Sequence, residues 1–381
     1  MKIAQIVEAT QTGVGRHVLD LTAGLAACGD RLHLIYSPLR MDAYFRAKVE
    51  AFRKIPNVVL SELEMPHAVS PLREIKTVRK IARYLREHGP FDIVHGHSSK
   101  GGAYARLAAA LVRRASKVIY TPNAFVTLSS TISPLKMIMF EALEKFLARR
   151  FTDQLIMVSR DEHAYALQLG IPERKLAVIA NGVQIEPGTD GGDNIRSMLG
   201  LDSSDVIIGF VGRLDAQKSP IILLRAFSQC AKNGSAKLVV IGEGPQRQQL
   251  EAFVTQEKVD GVSFMGYQER ASHLMADFDI FALPSDYEGL PYTLIEAMAN
   301  QLPVVATDCS GNRELVRNGE NGFLVPRGDS DSMAKKLAKL VGDRDLRRKM
   351  GADSYVKYLK NYTKSTMIKS TRELYVRMND V

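Results

Sequence analysis

The chain has 381 residues, of which 45% are hydrophobic and 24% are charged, and its formal net charge is +9. This length exceeds one ordinary hydrophobic core, so we expect a globular protein of two domains. The three cysteines, Cys28, Cys230 and Cys309, lie far apart and lack the spacing of zinc ligands, which argues against both a disulfide framework and a zinc site.

The start of the chain and its hydropathy predict a cytoplasmic protein. Met1 and Lys2 lead directly into an apolar strand, which leaves no room for a signal peptide. No apolar run approaches the roughly 20 residues of a membrane-spanning helix.

Nearly all of the positive charge belongs to the first half. Residues 1–190 contain 26 Lys and Arg against 18 Asp and Glu, a net +8, whereas residues 191–381 contain 25 against 24, a net +1. The basic half either binds an anionic partner, such as a lipid headgroup or a phosphorylated acceptor, or carries solvated helix faces without a partner. No nucleic-acid partner is expected, because no run of stacking aromatic residues, recognition-helix pattern or zinc spacing is present.

Short β-rich runs alternate with helical patterns along the first half, which predicts a parallel sheet covered by helices. The predicted strands are 3–7, 32–36, 57–60, 92–95, 117–121, 154–158 and 176–179, and the helices include 15–27, 71–88, 100–113, 134–150 and 160–169. A stretch rich in Gly, Pro and Asp, at 186–194, is the best linker candidate.

A second alternation predicts a second parallel sheet. Its strands are 206–211, 237–241, 262–265, 279–283, 303–307 and 322–325, and the tail from Asp331 to Met378 is helical. We therefore predict an α/β fold of two Rossmann-like open parallel-sheet domains facing a cleft. The predicted domains are 1–185, 186–355 and a helical segment, 356–381, that is a candidate to cross back to the first domain.

The turn after the first strand contains Gly13 and Gly15. Val18 occupies the third glycine position of the dinucleotide fingerprint, and no acid ends the second strand at the expected place, so an NAD site is excluded. The turn either lets the backbone approach a phosphate or is an ordinary strand-to-helix connection.

The stretch SDYEGLPYTLIEAMANQLPVV, at 285–305, places two carboxylates on either side of a predicted helix start. Glu288 lies in a loop, Pro291 suits the first helical position, and Glu296 sits about a turn and a half inside the helix. The two carboxylates are then roughly 8–12 Å apart, similar to the span of a sugar nucleotide from hexose to ribose. The helix start between them favours a diphosphate.

Three further turns follow strand ends in the second half. Arg213 and Lys218, in GRLDAQK at 212–218, are well placed to bind a diphosphate, Arg through a fork of donors and Lys as a point charge. The turns GEGP, at 242–245, and FMGY, at 264–267, contain glycines that permit close approach of the backbone.

As a set, these motifs resemble those of family-4 glycosyltransferases of the GT-B fold, which are retaining, nucleotide-sugar-dependent enzymes and include many transferases of bacterial envelope polysaccharides. The resemblance rests on NGV (181–183), GRLDAQK, GEGP, FMGY, EGLPYTLIEAMA (288–299), PVVAT (303–307) and GNREL with NGFLV (311–325). The first half matches more loosely, through TGVGRHV (12–18) and DIVHGHSSKGGAYARLAA (92–109).

The resemblance implies roles for the matching residues. The donor-binding set would be Gly13, Gly15, Gly212, Arg213, Lys218, Gly244, Met265, Gly266, Glu288, Gly289, Leu290, Pro291 and Glu296. Arg213, Lys218 and Glu288 would form the catalytic set, in which the two cations neutralise the donor diphosphate. Glu288 would contact hydroxyls of the transferred sugar, and Glu296 would accept hydrogen bonds from the ribose diol.

The resemblance further implies a reaction without a metal or another cofactor. The donor, expected to be UDP-linked, would give a hexose or N-acetylhexosamine to a glycan or a polyprenyl-diphosphate-linked acceptor. The D-x-D at Asp277 and Asp279 precedes a buried-looking strand and is interpreted as structural. The alternative is a sugar-nucleotide 2-epimerase, which uses the same architecture without an acceptor.

Polar residues also follow two predicted strands of the first half. His95 is either a core histidine or a ligand, whereas His97 and Lys100 are expected to face the acceptor or the donor sugar. Asn123 ends the next strand where many relatives have His, so no family histidine is assigned to this loop. His97, Lys100 and Asn123 are the acceptor-binding candidates.

Two basic amphipathic stretches, at 73–89 and 133–151, belong to the first half. They are either ordinary packed helices with solvated Lys and Arg or peripheral contacts with an anionic membrane, at the inner face of the cell membrane. The second is the better membrane candidate, because its MIMF cluster is flanked by basic side chains. These are Lys136, Lys145, Arg149 and Arg150.

Overall fold

The computed structural model describes residues 1–66, 70–112, 116–125, 127, 133–185, 194–230 and 236–380. The predicted linker, at 186–194, lies outside these residues except for Asn194. The chain forms two compact units: unit 1 contains Met1–Asn181 and the segment from Lys364 onward, and unit 2 contains Gly182–Thr363. Within the described ranges, no helix has both the length and the apolarity needed to cross a membrane.

Unit 1 is built on a parallel sheet with the strand order β3-β2-β1-β4-β5-β6-β7. The strands are β1 (Lys2–Val7), β2 (Arg31–Tyr36), β3 (Val58–Glu62), β4 (Ile93–His97), β5 (Lys117–Thr121), β6 (Gln154–Met157) and β7 (Leu176–Val178). The central strands are buried along almost their whole length, because helices cover both faces of a parallel sheet.

The helices of unit 1 connect successive strands, and a last helix is added from the end of the chain. They are α1 (Thr12–Ala27), α2 (Ala43–Phe52), α3 (Pro71–His88), α4 (Ser98–Val112), α5 (Pro134–Phe151), α6 (Arg160–Gln168) and α15 (Lys364–Asn379). Helix α15 contributes Met367, Leu374 and Tyr375 to the core of unit 1. It packs closely on α1, where a Cβ on Gly24 would lie only 2.1 Å from Cδ1 of Ile368.

Unit 2 has a parallel sheet with the order β10-β9-β8-β11-β12-β13. Its strands are β8 (Val206–Val211), β9 (Ala236–Ile241), β10 (Val262–Gly266), β11 (Ile280–Leu283), β12 (Val304–Thr307) and β13 (Gly322–Val325). Its helices are α7 (Ile195–Leu199), α8 (Pro220–Cys230), α9 (Arg247–Gln256), α10 (Ala271–Leu274), α11 (Tyr292–Ala299), α12 (Asn312–Leu315), α13 (Ser330–Gly342) and α14 (Arg344–Asn361).

The predicted fold class is confirmed, because each predicted strand is present in one of two open parallel sheets. Asp277 and Asp279 are structural, as interpreted. The Asp277 carboxylate accepts the N–H of Ile195, and the Asp279 carboxylate pairs with Arg196 and accepts the N–H of Ile207. In each unit, the loops after the carboxyl ends of the strands are the expected place for ligands.

Candidate active site

The loop after β8 is held against the loop after β9 by its backbone. The N–H of Gly212 donates to Ile241, and the N–H of buried Leu214 donates to Glu243. A Cβ on Gly244 would lie 2.4 Å from the carbonyl oxygen of Leu214, so only glycine allows the two loops to pack this closely. Gly212 and Gly244, both predicted to bind the donor, therefore also shape the site.

Lys218 and Glu288 form a largely buried ion pair. The Lys218 Nζ lies 2.6 Å from Oε1 of Glu288, and their side chains are 14% and 6% exposed. The hydroxyl of Ser285 donates to the same oxygen at 2.6 Å. The pair joins the loop after β8 to the loop after β11, so two of the three predicted catalytic residues are in direct contact.

Arg213, the third predicted catalytic residue, lies on the same loop as Lys218. Its Nη2 is 2.9 Å from Oδ2 of Asp215 and 3.0 Å from Oε1 of Gln217. Oδ1 of Asp215 accepts the backbone N–H of Lys218 at 3.0 Å. Arg213 and Lys218 are therefore both supported by Asp215, a residue of the GRLDAQK motif for which no role was predicted.

Helix α11 begins one residue later than predicted. Pro291 is not the first helical residue but the N-cap, with an extended backbone (φ −70°, ψ 123°), because its carbonyl oxygen already accepts from Leu294 and Ile295. Leu290 is buried, and the carbonyl oxygen of Gly289 lies so close to Gly311 that a Cβ there would approach to 2.3 Å.

Glu296 lies inside α11 and is 4% exposed. The helix therefore starts between Glu288 and Glu296, as predicted. The helix is eight residues long and almost wholly buried, so its N-terminal N–H groups are fixed in direction.

Met265 and Gly266 end strand β10, the edge strand of the sheet. Gly266 has a left-handed backbone (φ 69°), and its carbonyl oxygen accepts from Gly242 at 2.7 Å. The carbonyl oxygen of Met265 accepts from the side chain of Gln268 at 2.8 Å. The structure thus brings this turn next to the loop after β9.

In unit 1, Gly13 and Gly15 lie in the first turn of α1. A Cβ on Gly15 would lie 3.0 Å from the carbonyl carbon of Thr10 and 3.1 Å from Cδ2 of Phe45, so this glycine has a packing reason. Gln11, the N-cap residue, makes no side-chain cap. The helix start is therefore not capped by its own N-cap side chain.

Three histidines meet at the end of β4. The ring of His97 lies 4.0 Å from that of His95 and 5.4 Å from that of His17. His95 is a core histidine that contacts the hydroxyls of Tyr375 and Thr121 at 2.6 and 2.8 Å. Burial, with the nearby histidines as a smaller cause, holds the pKa of His97 well below its usual value. Burial therefore favours the neutral imidazole form of His97.

His97 is fully buried, and neither of its ring nitrogens has a hydrogen-bond partner among the described residues. A buried polar group without a partner is costly, which marks this side chain as a candidate for contact with a ligand. Lys100 differs, because its Nζ donates to Glu74 at 2.8 Å and to the carbonyl oxygen of Pro66 at 2.7 Å. Its ammonium already ties α4 to α3.

Asn123 lies in a turn with two left-handed residues, Asn123 (φ 55°) and Ala124 (φ 93°). Neither polar atom of the Asn123 amide has a partner within the described part of the chain. Buried Glu162 holds this turn, because its carboxylate accepts from Ala124 at 2.7 Å and from Val158 at 3.0 Å. Glu162 was not predicted as a site residue; its place three residues after the N-cap Ser159 is the signal in the sequence for such a role.

Across the described ranges, no three or more His, Cys, Asp or Glu side chains are arranged to hold a metal ion. The carboxyl edge of the unit 2 sheet thus carries the cations Arg213 and Lys218, the acids Glu288 and Glu296, and the start of helix α11.

The chain is similar to known proteins in both sequence and fold. A family model described as Glycosyltransferase Family 4 matches residues 11–187, and one described as Glycosyl transferases group 1 matches residues 192–357. The chain is 27% identical over 318 residues to the UDP-Gal:alpha-D-GlcNAc-diphosphoundecaprenol alpha-1,3-galactosyltransferase of Escherichia coli, covering 81% of each chain. It is 25% identical over 309 residues to the capsular polysaccharide biosynthesis glycosyltransferase CapM of Staphylococcus aureus, covering 78% of this chain and 80% of CapM.

Among solved structures, the chain is similar to Anabaena HepE in complex with UDP and glucose. The TM-score is 0.81 at 21% sequence identity, over 99% of this chain and 100% of HepE. This likeness shows the fold, which is GT-B. Because the two family models match consecutive segments that together span nearly the whole chain, the protein belongs to the family-4 glycosyltransferases.

Proposed function

We propose that this protein is a retaining glycosyltransferase that moves a hexose or N-acetylhexosamine from a UDP-linked donor to a glycan or a lipid-linked glycan. The observation that carries the proposal is the ion pair of Lys218 and Glu288, supported beside Arg213 at the carboxyl edge of the unit 2 sheet. The name of the Escherichia coli relative, which gives a UDP-galactose donor and a diphosphoundecaprenol-linked acceptor, supports these substrate classes.

The cations act on the charge of the leaving group. When the bond between the anomeric carbon and the phosphate oxygen breaks, negative charge grows on the diphosphate. Arg213 and Lys218 stabilise that charge, and so does the start of α11. Glu288 orients the transferred sugar through its hydroxyls, and Glu296 accepts from the ribose diol.

Retention follows if the acceptor attacks the face that the diphosphate leaves. The acceptor oxygen forms the new bond to the anomeric carbon, and its proton passes to the departing phosphate oxygen. The products are the glycoside and the nucleoside diphosphate. A double displacement through two carboxylates is therefore not part of the proposal.

The reaction is proposed to need no metal ion. Two fixed cations near the diphosphate supply the positive charge for which other phosphate-binding enzymes use Mg²⁺. On the acceptor side, we assign His97, Lys100 and Asn123. The polar atoms of His97 and Asn123, which lack a hydrogen-bond partner among the residues that the structure describes, support this assignment. Lys100 supports it less, since its ammonium is already paired with Glu74.

Helix α5 is proposed to contact an anionic membrane surface that carries a lipid-linked acceptor. Five large apolar side chains at helical spacing are between 48% and 79% exposed, namely Leu135, Ile138, Met139, Leu143 and Phe146. The four basic residues named above flank this stripe. The opposite side of the helix is tied to the unit, because buried Arg106 stacks on Tyr120 and bonds to both carboxylate oxygens of Glu144.

An assay of nucleoside diphosphate release tests the proposal. The purified chain is supplied with a panel of sugar nucleotides, with and without a lipid-linked glycan. We expect release only with an acceptor present, and its loss in Lys218→Ala and Glu288→Ala variants that still fold. Conversion of the sugar nucleotide without an acceptor would indicate an epimerase instead. Full turnover in both folded variants would remove the assignment of the site.

A further inference from the structure

Gln217 lies between the two loops that carry the donor-site residues of unit 2. Its Oε1 accepts from Nη2 of Arg213 at 3.0 Å, and its Nε2 donates to the carbonyl oxygen of Tyr287 at 3.2 Å. Its main-chain carbonyl oxygen accepts the N–H of Asp286 at 2.8 Å. One residue thus bonds both to a cation of the site and to the loop that carries Glu288.

The two side-chain bonds fix the orientation of the Gln217 amide. The guanidinium of Arg213 only donates, and the carbonyl oxygen of Tyr287 only accepts, so the amide oxygen faces Arg213 and the amide nitrogen faces Tyr287. Glutamate would keep the acceptor but lose the donor, and methionine would lose both.

Arg213 is held through one of its three nitrogens. Nη2 carries two N–H groups and lies within hydrogen-bonding distance of two acceptors, Oδ2 of Asp215 and Oε1 of Gln217. Within the described part of the chain, these two contacts leave the three N–H groups on Nε and Nη1 for a ligand. The side chain of Arg213 is 44% exposed, so these groups are within reach of a ligand from solvent.

We propose that Gln217 is a positioning residue of the donor site, which acts through Arg213 by fixing its guanidinium relative to the loop of Glu288. The inference rests on the proposed function, because it takes Arg213 as a ligand of the donor diphosphate. A long side chain that is already ordered binds an anion at a lower entropy cost. A neutral amide provides this order without adding a second negative charge beside Arg213, which already faces Asp215.

The test measures UDP binding to the full chain by calorimetry for Gln217→Met and Gln217→Glu. Gln229→Met is the matched control, because Gln229 is an exposed glutamine on α8 of the same unit that bonds to Asp331. We expect Gln217→Met to weaken UDP binding about tenfold, the size expected from losing one or two hydrogen bonds. Gln217→Glu should weaken it further, since its carboxylate repels the diphosphate. The control should bind like the wild type.

A second background separates positioning from a purely structural role. In an Arg213→Met chain, adding Gln217→Met should change UDP binding by no more than about twofold, because the residue through which Gln217 acts is absent. If Gln217→Met still weakened UDP binding about tenfold in the Arg213→Met background, the inference would be overturned. It would also be overturned by tighter UDP binding by Gln217→Glu than by Gln217→Met, or by wild-type binding by both.

The midpoint of thermal unfolding is measured for each variant together with its UDP binding. If Gln217→Met proves unstable, the test is the comparison of Gln217→Glu with the Gln229→Met control. Unchanged UDP binding by Gln217→Glu then overturns the inference. If Arg213→Met binds UDP as the wild type does, the donor site itself is wrong and the proposed function falls together with the inference. If UDP binding depends on Arg213 but no Gln217 variant changes it, only the inference is wrong.

Discussion

The ammonium of Lys218 lies 2.6 Å from Oε1 of Glu288, so a cation expected to meet the donor phosphate is neutralised by the acid expected to meet the sugar. Both side chains are mostly withdrawn from water, and Ser285 donates to the same carboxylate oxygen. The ion pair is therefore expected to contribute both to the stability of the fold and to the rate of transfer. These two contributions can be measured separately.

Lys218→Met or Glu288→Gln alone should lower the free energy of unfolding by roughly 3 kcal/mol, because each leaves one charge buried without its partner. The double variant should recover part of that loss, since no unpaired charge remains. All three should lose transfer by at least about 100-fold. Denaturant unfolding and initial rates measure the two effects. Stability losses that simply add in the double variant would contradict this account of the pair.

Removal of divalent metal should leave transfer unchanged. In the proposed site, Arg213 and Lys218 supply the positive charge at the diphosphate, so EDTA-treated enzyme assayed in EDTA should keep its full rate. The control is a metal-dependent glycosyltransferase treated in the same way. Loss of activity that Mg²⁺ or Mn²⁺ restores would show that Arg213 and Lys218 do not suffice.

Glu162 should make the stability of unit 1 depend on pH. Burial raises the pKa of its carboxyl from 4.5 to about 7 in the folded chain, against the opposing effect of two backbone N–H groups. Between these two values the folded state holds a proton that the unfolded state has lost, so this contribution to stability is complete below pH 4.5 and is lost as pH rises through 7.

Glu162→Gln removes that titration. Relative to Glu162→Gln, the free energy of unfolding of the wild type should therefore fall between pH 5 and pH 8, by on the order of 1.4 kcal/mol per unit of pKa shift. Unfolding measured across this pH range gives the difference. Glu173→Gln, at an exposed glutamate of the same unit, is the control and should track the wild type across this range. A constant difference between Glu162→Gln and wild type at all pH values would disprove the effect.

Helix α5 should bind anionic vesicles and not zwitterionic ones. Replacing Arg149 and Arg150 with Gln should weaken binding by roughly tenfold or more, since each basic residue near such a surface contributes about 1 kcal/mol. Ile138→Gln with Phe146→Gln should weaken it through lost apolar contact. Vesicle sedimentation measures both effects.

The matched control for the apolar change is Val356→Gln with Leu359→Gln, which alters two exposed apolar residues on α14 of unit 2. It should sediment with vesicles as the wild type does. Equal loss in the control and in the α5 variants would mean that general hydrophobicity, and not α5, determines binding.

The strands were predictable because buried parallel strands are continuous apolar runs bounded by turns, as at Val206–Val211. Helix α2 was not among the helices named from the sequence, although Phe45, Val49 and Phe52 are buried at helical spacing and Asp42 caps the helix by accepting from Phe45. The one-residue error at Pro291 is of the size expected for helix ends.

The cations and acids of the site were visible in the sequence as charged residues at strand ends. Their supports were not, because the roles of Asp215 and Gln217 depend on which rotamers bring their oxygens to Arg213. The burial of His97 was also beyond the sequence, since it follows from the packing of strand β4, which carries His95 and His97, against helix α1, which carries His17.

Helix α15 has a consequence for how the protein is made. Unit 1 takes Met367, Leu374 and Tyr375 from the end of the chain, and Asp30 pairs with Arg372 more than 300 residues away in sequence. During synthesis, the core of unit 1 therefore stays incomplete until helix α15 has been translated, whereas unit 2, a continuous segment, can fold earlier. The first half to be translated is the last to be completed.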